Sequence, residues 1–147
     1  MTLQEILVED MKTAMKNGDK LALNLIRSLR SAIHNAEIEK QKKLADEDIY
    51  TVITKGIKQR RESAEMFKAG NRQDLVNNEE AEIALLQHYL PAQLSQDEIK
   101  AIVIQIIAET GATSIKDKGK VMPLIITQLK GKAEGAVINQ IVCKLLQ

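Results

Sequence analysis

Apolar residues recur along this chain at helical spacing, and polar or glycine-containing breaks divide the pattern into successive segments. Thr2 and Glu5 have the T-x-x-E spacing in which a hydroxyl and a carboxylate satisfy free N–H groups at a helix start. Leu3, Leu7, Met11 and Ala14 follow on one stripe until Asn17-Gly18, where the first predicted helix stops. Asp19 suits the cap of a second helix, with Leu25, Leu29, Ile33 and Ala36 inward, running into the charged stretch EIEKQKK. The short turn between these two predicts an antiparallel pair. A third, long helix is expected from a cap at Asp46, with Ile49, Val52, Ile53 and Ile57 inward, ending at Gly70-Asn71. A fourth passes through Leu75, Ile83, Leu86 and Leu90 and stops at Pro91, which has no N–H to donate.

The pattern then restarts. After a hinge at 91–94, Ser95 and Glu98 form a second capping-box spacing ahead of Ile99, Ile102, Val103, Ile106 and Ile107. The β-branched run IVIQII has strand propensity, but the box, the helical stripe and the stop at Thr110-Gly111 favour a helix. Two shorter helices are expected beyond it. One runs from about Asp117 to Lys130 with a break or kink near Pro123; the other runs from Glu134 to Leu146 with Val137, Ile138, Ile141, Val142 and Leu145 inward. The predicted fold is therefore all-α, an N-terminal four-helix domain over 1–90 followed by a small C-terminal three-helix domain over 95–147.

Composition supports this reading. Tyr50, Phe67 and Tyr89 are the only aromatic residues, so the core must be built from aliphatic side chains and Met. The acidic N-terminal stretch MTLQEILVEDMK lacks the basic leader of a signal peptide, and no apolar run approaches membrane-spanning length; cytoplasmic residence with no membrane association is the expectation. Cys143 has no second cysteine to pair with and is expected to be a buried structural thiol.

No catalytic constellation stands out. Glu79, Glu80 and Glu82 are the densest acidic cluster and are expected to favour the positive end of the fourth helix. His34 and His88 lack companions at ligand spacing, so neither a metal nor a cofactor is expected. Phosphate-loop, serine-nucleophile and dinucleotide motifs are absent.

The remaining signal is positive charge beside glycine. The net charge of the chain is only +1, yet residues 111–147 hold six lysines against Asp117 and Glu134. Lys116, Lys118, Gly119 and Lys120 lie at one turn; Lys130, Gly131 and Lys132 lie at another, with Gly135 just beyond. Glycine permits close approach, helix starts present free N–H groups and lysine adds charge, a combination that suits a phosphate backbone. The same spacing is met if Gly131 merely ends a helix and the lysines are solvated near a helix C-terminus. A second basic stretch, KGIKQRRESAEMFK, is partly neutralised by Glu62 and Glu65; its Ile57, Met66 and Phe67 serve either a partner or the core.

The stretches LIRSLRSAIHNAEIEK, ITKGIKQRRESAEMFKAGNRQDL, EEAEIALLQHYLPAQLSQDEI and KDKGKVMPLIITQLKGKAEGAVINQIVCKLL together resemble the GatB/YqeY family, specifically its stand-alone YqeY-like members. The resemblance implies a helical N-terminal domain and a three-helix domain similar to the tail of the B subunit of glutamyl/aspartyl-tRNA amidotransferase, where the tail is associated with holding tRNA. It implies a non-catalytic adaptor, with Lys118, Gly119, Lys120, Lys130, Gly131, Lys132 and Gly135 on a tRNA-facing surface. It also implies a protein partner in aminoacyl-tRNA metabolism. Two alternatives stay open: an accessory role in carbon–nitrogen ligation with glutamine as amido donor, and a protein-interaction module without RNA. The family commonly has Met where this chain has Lys118, and a small residue where it has Pro123.

Overall fold

The computed structural model describes residues 1–147 and is all-helical, with no strand. Its helices are α1 (Leu3–Asn17), α2 (Lys20–Lys40), α3 (Asp46–Ala69), α4 (Gln73–His88), α5 (Gln96–Thr110), α6 (Lys118–Gln128) and α7 (Gly135–Leu145), with a 3-10 turn at Ile115–Asp117 before α6. By compactness the chain divides into two units, Met1–Leu90 and Pro91–Gln147.

In Met1–Leu90, the buried residues Leu7, Ile26, Ile33, Ile49, Ile53 and Leu86 belong to one continuous apolar cluster. They come from all four helices, each burying the stripe that its 3.6-residue period creates. Thr2 and Glu5 form the expected capping box, and Gly18 ends α1 with φ +67°. Asp19 caps α2 by accepting from the Ala22 N–H at 3.1 Å.

Asp46 behaves differently from the sequence expectation. The residue preceding α3 is Ala45, which offers no side-chain cap. The Asp46 carboxylate instead accepts from the Leu3 N–H at 3.0 Å and so caps the first turn of α1, 43 residues away. The α4 helix ends at His88, two residues before the expected limit: the Tyr89 and Leu90 N–H groups close a tighter turn onto the Leu86 and Gln87 carbonyls, and Leu90, preceding proline, is disfavoured in helical geometry.

In Pro91–Gln147, the buried cluster is Ile99, Val103, Ile106, Val121, Ile125, Leu129, Ile138, Val142 and Leu146. The run IVIQII lies within α5, with the Ser95–Glu98 box at its start and Gly111 at its end. No break occurs at Pro123, since α6 runs through it. Proline there removes one backbone bond, the one its N–H would have made to the Gly119 carbonyl. Burial of Val121, Ile125 and Leu129 on one side of the helix outweighs that loss. Cys143 is half-buried on α7 rather than fully enclosed. No helix is long and apolar enough to cross a membrane.

Candidate nucleic-acid interface

The lysine and glycine residues picked out from the sequence fall at the two ends of α6. Lys116 is in the 3-10 turn, and Lys118, Gly119 and Lys120 open α6. Lys130, Gly131 and Lys132 lie in the connection from α6 to α7, and Gly135 begins α7. An 11-residue helix is about 16 Å long, so one helix length separates the two groups. Lys116, Lys120 and Lys132 are exposed, while Lys118 and Lys130 are half-buried.

The three glycines are not equivalent. Gly131 is buried and has φ +77°, in the left-handed region. Its carbonyl accepts from Gln93 Nε2 at 2.7 Å, and the neighbouring Lys132 carbonyl accepts from the Leu94 N–H at 2.9 Å. Gly131 thus shapes a turn that binds the segment before α5. Gly119 and Gly135 are exposed, lack positive φ, and have nothing within 4 Å of where a Cβ would sit. The chain's own packing gives no reason for glycine at either position.

This contrast sets opposite expectations. Gly131→Ala should destabilise by about 1–2 kcal/mol, the cost of holding an L-residue in the left-handed region. Gly119→Ala should stabilise by about 0.4–1 kcal/mol, because alanine restricts the unfolded chain and favours helix. Denaturant titrations of the two variants check both signs. If the open space at Gly119 admits a phosphate, the same stabilised variant should bind RNA more weakly than the parent.

Carboxylates accompany both helix starts. Asp117 accepts through Oδ2 from the Thr113 N–H at 2.9 Å and the Ser114 N–H at 3.3 Å, and its Oδ1 lies 3.8 Å from Lys120 Nζ. The Thr113 hydrogen bond, more than any other influence, holds the Asp117 carboxyl below its ordinary range. It therefore stays charged and turns towards the 113–114 backbone. Glu134 precedes α7 and makes no side-chain cap bond to it.

Two arginines outside this region are held by carboxylates. Arg60 Nε donates to Glu82 at 3.0 Å between α3 and α4, and its Nη1 donates to the Gly56 carbonyl at 3.2 Å. Glu82 therefore serves a tertiary ion pair, whereas the acid in the first turn of α4 is Asp74, bound to Arg72. Ile57 is buried in the core and cannot reach a partner; Met66 is 75% exposed. One basic face escaped the sequence reading, on α2, where Arg27, Arg30 and His34 are all exposed. The available signal was the absence of any acid in that helix before Glu37.

No group of three or more His, Cys, Asp and Glu residues is placed to hold a metal. Fold and surface together define an all-helical protein with lysines at the two ends of α6 and an exposed basic face on α2.

The chain belongs to the YqeY-like family: the family model described as Yqey-like protein matches residues 4–146. Among curated relatives, Altered inheritance of mitochondria protein 41, mitochondrial, of Pyrenophora tritici-repentis is 34% identical over 143 residues, covering 94% of this chain and 75% of the relative. The protein of the same name from Lachancea thermotolerans is 42% identical over 107 residues, covering 70% of this chain and 57% of the relative. The Saccharomyces cerevisiae protein is 40% identical over 86 residues, covering 58% and 46%. In the latter two, the match thus spans about half the relative's length.

These names correct the expectation of cytoplasmic residence, because the relatives are named as mitochondrial proteins. The physical reason lies in α1. The acidic residues read as excluding a leader belong to a capped helix whose Leu3 and Leu7 enter the core, so they report on folding and not on compartment.

Proposed function

We propose that this chain is a non-catalytic helical adaptor that contacts the phosphate backbone of tRNA through its C-terminal residues, with 1–90 and 95–147 acting as separate domains joined through 91–94. The observation that carries this reading is the concentration of six lysines against two acids in residues 111–147, with five of the lysines at the ends of α6. Open space at Gly119 and Gly135 supports close backbone approach there. The charge on Asp117 weighs against a lone anion at the α6 start and favours a ligand that also engages the more distant lysines. With three aromatic residues in the chain, stacking on unpaired bases has little to work with, which favours a folded RNA.

The test is binding of labelled tRNA, unfractionated and mitochondrial, to the full chain and to a variant with Lys118, Lys120, Lys130 and Lys132 all changed to Ala. Circular dichroism first establishes equal folding. The parent is expected to bind at micromolar concentration or tighter and to weaken with salt. The variant's log–log salt slope should be shallower by about 3–4, near one per lost phosphate contact. Identical binding by the two chains would remove these lysines from the interface.

A second reading, docking of a protein partner, draws on one observation: Leu124 and Ile126 of α6 are 51% and 48% exposed between the lysine groups. Recovery of a protein crosslinked through α6, with no RNA in the complex, would favour it.

A further inference from the structure

The α2 helix carries Lys20, Arg27, Arg30 and His34 before its first acid, Glu37. Arg27, Arg30, Ser31, His34 and Asn35 recur at three- and four-residue intervals and so share one face. With Met11 of α1 they line an open concavity of about 610 Å³, and no carboxylate is among its lining residues. Arg60 and Arg72 each bind a carboxylate. Arg27, by contrast, has no ion pair, and the Arg30 guanidinium donates only to the Met11 sulfur, at 3.3 Å.

Glu37, one turn beyond His34, lies outside this concavity; with Glu5 it lines the adjoining one beside Arg30 and His34, and its charge acts on His34. Its Oε2 accepts from the Leu44 N–H at 2.8 Å and from Gln4 Nε2 at 3.2 Å. Those bonds hold its charge towards the segment leading into α3. The concavity is thus lined by two guanidiniums without carboxylate partners, an imidazole, a hydroxyl and an amide. Planar guanidinium forks match the oxygens of a phosphate in pairs. Met11 is the only apolar lining residue, which leaves little to anchor a peptide side chain.

We infer that this face of α2 is a phosphate-binding surface for the backbone of a folded RNA, giving the chain a contact region within residues 1–90 besides the lysines of 116–132. The inference rests on the proposed RNA role but on different residues, so the two can fail separately.

The experiment compares the full chain, R27Q/R30Q, and the fourfold lysine variant in binding unfractionated tRNA between about 50 and 200 mM salt. Both arginines are exposed, and glutamine keeps helix propensity, so the double variant should fold as the parent does. It is expected to bind on the order of tenfold more weakly at low salt, with a salt slope shallower by about 2. If R27Q/R30Q matches the parent while the lysine variant weakens, this inference is overturned and the proposed function stands. Weakening by R27Q/R30Q alone keeps the inference and moves the interface away from the C-terminal residues. Absence of parent binding at low salt overturns both. Displacement of tRNA by poly-glutamate as effective as by unlabelled tRNA overturns the RNA assignment in favour of an acidic protein.

Discussion

Ile125→Ala is expected to unfold residues 91–147 while leaving residues 1–90 folded. Ile125 is fully buried in α6, within the cluster that also contains Val103, Val121, Ile138 and Val142. Truncating a buried isoleucine to alanine costs about 2–5 kcal/mol, combining lost transfer energy with the cavity left behind. A module of roughly 60 residues buries about 60% of the surface its unfolded chain exposes, less than a larger domain does, and is correspondingly marginal. At about 0.05–0.15 kcal/mol per residue its whole stability is only some 3–9 kcal/mol. One substitution therefore removes much or all of it.

The cluster of the first unit draws only on residues up to Tyr89, so its core loses no atom from this change. Hydrogen exchange should show lost protection at α5–α7 amides and retained protection in α1–α4. A single transition, with protection lost throughout the chain, would contradict separate domains. Since α6 places both lysine groups, this variant should also lose any RNA binding that depends on them.

Tyr89→Phe is expected to destabilise residues 1–90 by about 1.5–3 kcal/mol, the range for a hydrogen bond to a charged group. The Tyr89 hydroxyl donates to Asp10 Oδ2 at 2.6 Å, tying the end of α4 to α1 across 79 positions of sequence. Phenylalanine would keep the buried ring and leave a half-buried carboxylate without its donor. Asp10→Asn should cost less, because its amide oxygen can still accept. Urea midpoints of the two variants measure the difference.

The same contact carries a pH dependence. Burial first, and the Asp10 hydrogen bond and charge second, push the Tyr89 hydroxyl well above the usual phenol range. The folded state therefore holds this proton more tightly than the unfolded chain. The stabilisation is fully present below the unfolded value, near pH 10, and is lost as pH rises beyond it. Tyr89→Phe should flatten the alkaline fall in stability, and urea titrations from pH 8 upward would show this.

Where a signal is carried over a few residues, the sequence could be read correctly. The capping boxes at Thr2–Glu5 and Ser95–Glu98 each span one helical turn, and so does the spacing of Ile99, Val103 and Ile106 on the face that α5 buries. Helix stops at Gly18 and Gly111 follow from one backbone angle apiece. Net charge beside glycine in residues 111–147 was likewise visible, because it is a property of composition.

What escaped was whatever depends on partners far along the chain. Asp46 looked like the cap of its own helix and instead caps α1. Glu82 looked like a helix-dipole acid and pairs with Arg60. For Gly131 the sequence left open a helix end or a place for phosphate approach; its positive φ lies in the turn after α6 that holds Gln93 and Leu94, whereas Gly119 stands open. The reason is one of range. Helix periodicity and capping are set by φ, ψ and hydrogen bonds within a turn, so the sequence by itself determined an all-helical chain and most of its helix ends. Which carboxylate meets which donor, which glycine is exposed, and which arginines remain without an acid depend on side chains brought together only by burial of the apolar stripes, and those the tertiary structure alone decided.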